Sequence, residues 1–189
     1  MNLKDLLIQK RSLIIKKWLD SIFDTYPSDT KIFLKKRNNQ FANPVGHIIA
    51  KETENLYDLF LEDRDIDREK LYPILDRIIR IRSIQDFSPS HAIVFIYVLK
   101  NMIKEEFIGE IRENDLFEEL LIFYDRIDHA VLTAFDIYSE CRESLYEIRA
   151  EQAKKQVSGL LRKSGLISEL PEWDPNQEEG KIVNDHVTI

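Results

Sequence analysis

The side chains best equipped for chemistry in this 189-residue chain are four histidines, one cysteine and a knot of arginines. His47, His91, His129 and His186 are widely separated, and none has a second histidine or a cysteine three or four residues away, the spacing that sets two ligands on one helix face. Asp125, Asp128 and Asp136 place carboxylates near His129, enough to draw a metal pair, but a salt-laced helix surface needs fewer assumptions and no metal is expected. One imidazole in an apolar pocket suffices to ligate haem. That makes His91 and His129 the haem candidates, with Phe95, Leu99 and Phe123 lining such a pocket or one for another small ligand. His129 flanks the apolar stripe of its helix rather than lying in it, and no resident cofactor is expected. Cys141, lacking a second thiol, excludes an intramolecular disulfide and a cysteine-based zinc site, which fits a reducing cytoplasm. Gly46, Gly109, Gly159, Gly165 and Gly180 are too widely spaced for a phosphate loop, no nucleophile elbow occurs, and no catalytic residue is nominated.

The densest charge group lies in and beside RIRSIQDFSPSHAI, residues 80–93. Arg77, Arg80 and Arg82 with Asp86 can pin a helix junction or receive an anion, since a guanidinium fork matches a carboxylate. Acidic residues of the last helix, Asp125, Asp128 or Asp136, are the expected structural partners. Ser88 followed by Pro89 reads as a helix cap and first helical residue, so the stretch is a helix-to-helix corner. Its candidates for contacting a ligand or partner are Arg80, Arg82, Gln85 and Asp86. His91 falls in the first helical turn, where the dipole disfavours a cation and a neutral imidazole bonded to the corner is expected.

The elements that carry these residues are helical, because five glycines and six prolines are few for a sheet-rich protein of this size. Helical spacing of Ile14, Ile15, Trp18, Leu19, Ile22 and Phe23 predicts one amphipathic helix over about residues 3–24. Tyr26 and Pro27 end it, and Ser28 and Asp29 cap a short helix with Ile32, Phe33 and Leu34. Asn43 and Pro44 open a third, whose stripe runs Val45, Ile48, Ile49, Thr53, Leu56, Leu59 and Phe60. A fourth carries Leu71, Ile74, Leu75, Ile78, Ile79 and Ile81, and starts or bends near Tyr72 because Pro73 has no amide donor. AIVFIYVL, residues 92–99, is apolar all round and is expected to be enclosed as a central helix. This longest apolar run is too short to cross a bilayer, which takes about 20 residues. The charged N-terminal segment (Lys4, Asp5, Lys10, Arg11) fits neither a signal peptide nor a spanning helix.

From Asn114 no proline or glycine intervenes until Gly159. Leu116, Leu120, Phe123, Ile127, Ala130, Ala134, Ile137, Cys141, Leu145 and Ile148 alternate spacings of four and three, close to a heptad seam, so the last helix is predicted over about 114–163. It either breaks once or ends as a stalk. After Ile148 it loses its apolar face, which favours a solvated extension or a seam with a second copy. Residues 166–189 lack periodicity and are mostly acidic, predicting a flexible tail in which Trp173 either docks or packs loosely. One domain over residues 1–165 and this tail make up the expected organisation. A net charge of −7 argues against nucleic acid as a partner, and Lys35, Lys36 and Arg37 read as solvated cations at a helix end.

FANPVG (residues 41–46), RIRSIQDFSPSHA (80–92) and FDIYSECRE (135–143) together resemble the N-terminal domain of RsbT co-antagonist, or RsbR-type, proteins. The resemblance covers roughly residues 5–155. It implies a globin-like bundle without haem, a homodimer formed through the helical domain, and an input role in stressosome-type signalling, where a C-terminal helix passes the signal to a STAS domain. Little after Gly165 could fold into a STAS domain, so a separately encoded partner of STAS or kinase type is implied. In that family the position of His91 is commonly glutamine, which argues against an essential ligand there. The expected protein is thus an all-α, globin-like bundle with a long C-terminal helix, cytoplasmic and homodimeric. It would serve as a non-enzymatic sensory or regulatory input domain of a bacterial stress or redox signalling system. A haem or small-ligand sensor, and an accessory subunit of a larger complex, are the alternatives.

Overall fold

The computed structural model describes residues 2–35, 41–62, 66–85 and 87–165. Its helices are α1 (Leu3–Gln9), α2 (Arg11–Asp24), α3 (Ser28–Lys35), α4 (Pro44–Phe60), α5 (Arg68–Ile84), α6 (Pro89–Glu113) and α7 (Phe117–Lys163). No strand occurs among the described residues, and no helix there is long and apolar enough to cross a membrane. The chain divides into two compact units, Met1–Leu145 and Tyr146–Ile189.

The single N-terminal helix predicted from periodicity is two helices. Lys10 leaves helical geometry (φ −99°, ψ 15°), because Lys10 and Arg11 interrupt the apolar stripe between Leu7 and Ile14. Their charged ends are drawn to other helices, Lys10 Nζ to Glu106 at 3.1 Å and Arg11 to both oxygens of Asp58 at 2.7 Å. On α2 the Trp18 indole is fully buried, donates Nε1–H to the Phe95 carbonyl at 2.7 Å and meets Tyr57 edge-on at 6.5 Å between centroids. In α3 only Leu34 is buried, while Ile32 and Phe33 are exposed.

Asn43 does more than cap α4. Its Oδ1 accepts the Gly46 amide at 2.9 Å, and its Nδ2 donates to the carbonyls of Phe33 and Leu34, at 3.0 and 2.9 Å, in the last turn of α3. Gly46 is needed for that approach, since a Cβ there would lie 2.6 Å from the Leu34 carbonyl oxygen, an atom fixed in the backbone. Gly46→Ala is expected to lower stability by about 1–3 kcal/mol despite the better helix propensity of alanine, as read from a urea unfolding midpoint.

α5 starts at Arg68, capped by Asp67, and runs through Pro73. The regular helix therefore does not wait for Tyr72: a proline in an early turn removes one amide donor, and this one lies on the exposed side. α4 packs along α5, while α2 contacts α3, α4 and α6. α6 outlasts its expected end, and AIVFIYVL is not enclosed on every side. Ala92, Phe95, Ile96 and Leu99 are buried, but Val94 and Val98 are half-buried and Tyr97 is 51% exposed. Tyr97 instead lies under the Lys100 ammonium, 5.5 Å from the ring centre, and Lys100 pairs with Asp128 of α7 at 2.6 Å.

Asp115, at φ 54°, turns the chain into α7, which is unbroken to Lys163. The stripe from Leu116 to Cys141 is buried among the chain's own helices, whereas Ile148 is 52% exposed. That stripe is therefore a core face of one molecule, not a seam between two.

Candidate functional site at the α5–α6 corner

The corner forms as its caps dictate, with Pro89 in the first turn of α6 and the His91 amide directed to the Ser88 hydroxyl at 3.4 Å. The last turn of α5 delivers Arg82 into it, fully buried. Its Nε donates to the Ala92 carbonyl at 2.9 Å. Its Nη2 donates to the His91 carbonyl at 2.7 Å and to Thr25 Oγ1 at 3.2 Å. Aromatic rings surround the planar cation, with centroids 4.2 Å away for Phe87, 5.4 Å for Tyr26 and 5.5 Å for Phe95.

No described carboxylate forms an ion pair with Arg82, and burial draws its pKa below the ordinary value. A guanidinium nonetheless stays charged, and among the described residues its positive charge is met by carbonyl and hydroxyl oxygens and π faces. Nη1 and the neighbouring Tyr26 hydroxyl are both buried, and a side-chain hydrogen bond between Arg82 and Tyr26, of poor geometry, is what they have for a partner. Burial pushes the Tyr26 phenol up, and the Arg82 charge and its side-chain hydrogen bond to the phenol partly oppose this.

A cavity of about 550 Å³ lies against this cluster, lined by Thr25, Tyr26, Pro27, Thr30, Gln85, Phe87, Ser88 and His91. The corner is braced on α7, because the Tyr138 hydroxyl donates to the Phe87 carbonyl at 2.5 Å and Arg142 Nη1 to the Ser83 carbonyl at 3.2 Å.

Of the predicted contact residues, Arg82 and Gln85 meet here, Arg82 behind the cavity wall and Gln85 on its rim. Arg80 does not join them: it is exposed and pairs with Asp76 one turn back at 2.7 Å. Arg77 pairs with the buried Glu52 of α4 at 2.6 Å. None of the three arginines pairs with Asp125, Asp128 or Asp136, because α5 turns them towards α4, its own surface and the corner, and Asp128 is engaged by Lys100. Asp86 lies outside the described residues, as do Lys36, Arg37, Trp173 and His186. Phe95 packs between Trp18 and Arg82, and Leu99 is core. Phe123 stacks edge-on against Phe60 at 6.0 Å and lines a different cavity, of about 170 Å³, with Leu3 and Leu7. These apolar residues therefore share no pocket. His129 is exposed on α7 and His91 is exposed at the cavity rim, so neither imidazole has the apolar enclosure that axial haem ligation calls for.

Sequence reading missed Thr25 and Tyr26, which reach Arg82 from 57 residues away along the chain in the case of Thr25. Only the apolar, proline-terminated end of α2 hinted that something packs there.

Residues 13–153 match the family described as RsbT co-antagonist protein rsbRD N-terminal domain. A protein of Archaeoglobus fulgidus described only as uncharacterized is 23% identical over 154 residues, spanning 81% of this chain and 90% of that protein. No solved structure matches the chain.

Proposed function

The chain belongs to the RsbT co-antagonist protein rsbRD N-terminal domain family, and from that premise we propose that it is a non-catalytic input domain of stress or redox signalling, acting in the cytoplasm through protein–protein contacts. Residues 1–165 form this input domain, with the globin-like plan implied by the family resemblance. The observation that carries the reading is in the second unit. Ala150, Ala153, Val157 and Leu160 follow one another at spacings of three, four and three on α7 and all are exposed, Val157 at 55% and Leu160 at 68%. Tyr146 extends the same spacing. A heptad stripe left in solvent on a helix fits a facing helix, and the simplest source of one is a second copy of the chain.

In this reading the homodimer forms along that stripe, and a separately encoded protein of STAS or kinase type receives the output. What supports a link from the corner to the stripe is that α7 itself holds Phe87 and Ser83 through Tyr138 and Arg142. Sedimentation equilibrium on the full chain tests the dimer. Val157→Glu with Leu160→Glu is expected to weaken self-association at least tenfold, since each buries a charge in the seam, without lowering the unfolding midpoint of the first unit. A wild-type chain that sediments as a strict monomer removes the dimer from the reading.

A further inference from the structure

We propose that the cleft between α1, the end of α4 and the start of α7 binds a neutral molecule with a single aromatic ring, seated against Phe60 and Phe123. Its floor is hydrocarbon: Leu3, Leu7, Phe60 and Phe123 line it, and none of the four is more than 5% exposed. The two phenyl rings stand edge to face at 74°, with 6.0 Å between centroids. Rings set nearly perpendicular give a third ring a face or an edge to pack on, the two contacts aromatic side chains favour. The volume of about 170 Å³ suits one ring, since an apolar cavity of about 150 Å³ stays dry and takes benzene. Ile122, 51% exposed, forms the lip, so a guest enters past one surface side chain rather than through the core.

The hydrogen bonding around the floor selects a neutral guest. Two main-chain groups there could have met a polar one, and both are engaged: the Leu3 amide donates to Glu119 Oε2 at 2.7 Å, and the Phe60 carbonyl accepts from Arg126 Nη1 at 2.8 Å. Of the charged side chains higher in the cleft, Glu62 pairs with Lys70 at 2.7 Å, and Lys4 also has a partner. A charged guest would give up its water for two leucines and two phenylalanines, which is unfavourable. A neutral ring gains from the same exchange. Because Leu3 and Leu7 belong to α1, a bound ring joins that short helix to α4 and α7 and raises the melting temperature by mass action. The proposal stands on this cleft alone: it can fail while the dimer of the signalling reading holds, and hold while that dimer fails.

The test is a titration of the full chain with toluene, followed by amide chemical shifts, with hexane as the aliphatic contrast and benzoate as the charged one. Saturable shifts centred on residues 3–7, 60–61 and 122–123 are expected for toluene, with half-saturation below about 1 mM. Hexane should bind about threefold more weakly for want of a ring, and benzoate about tenfold more weakly or worse. Ile122→Trp puts a larger ring at the lip, outside the core. It should keep the wild-type melting temperature and bind toluene about tenfold more weakly, because the indole occupies the cleft. Phe123→Leu keeps an apolar wall without the ring, and should erase the preference for toluene over hexane. The proposal is overturned if toluene does not saturate or shifts other residues instead, or if hexane or benzoate binds as tightly. It is equally overturned if Ile122→Trp binds toluene like the wild type, or if Phe123→Leu keeps the wild-type preference.

Discussion

Arg82→Ala is expected to lower the unfolding free energy by about 3–5 kcal/mol, measured by urea denaturation. Two opposing terms set this value. The wild type bears the cost of holding a cation away from water without an ion pair to a described carboxylate, and truncation relieves that cost. Against it stand three hydrogen bonds from a charged donor, three aromatic faces and the volume of a fully buried side chain. The volume and the bonds prevail because alanine leaves a void where α2, α5 and α6 converge. Arg82→Met separates the terms, since its unbranched apolar chain refills much of the space without the charge. A cost of about 1–2 kcal/mol is expected for it. If the methionine variant is as stable as the wild type, the polar contacts contribute nothing net and the corner is held by packing.

Trp18→Ala should have an effect of similar size, about 3–5 kcal/mol. The indole is fully buried between α4 and α6, with Tyr57 on one side and Phe95 on the other, so truncation opens a cavity at the centre of the first unit. Trp18→Phe retains most of the aromatic contact and loses the Nε1–H bond to the Phe95 carbonyl. About 1–2 kcal/mol is expected for that change, measured as a smaller displacement of the same transition. Equal losses in the two variants would mean that the hydrogen bond, rather than volume, holds α2 to α6.

Features written in local chemistry were legible from the chain. Asn43 with Pro44, and Ser88 with Pro89, mark helix starts because a cap and its amide targets lie within three residues of one another. The stripe from Leu116 to Cys141 was equally plain, but its meaning was not: the same heptad-like spacing serves a core and a seam, and only neighbouring helices decide between them. Further along α7 the small side chains of Ala150 and Ala153 hid a stripe that Val157 and Leu160 complete. The partners of the arginines were illegible for a different reason. Arg82 is held by backbone carbonyls, which every residue possesses, and by a threonine brought in by the tertiary fold, so no residue spacing could announce them. The break at Lys10 sits between two stripes of matching period, so the apolar spacing runs straight through it.

The carboxamide of Asn43 serves two helices at once, taking an amide from the start of α4 while donating to the end of α3. Neither terminus can fray alone, because unwinding one strips the other of its partner. The last turn of α3 and the first turn of α4 are thus coupled by the three hydrogen bonds of one side chain, each contributing about 1 kcal/mol.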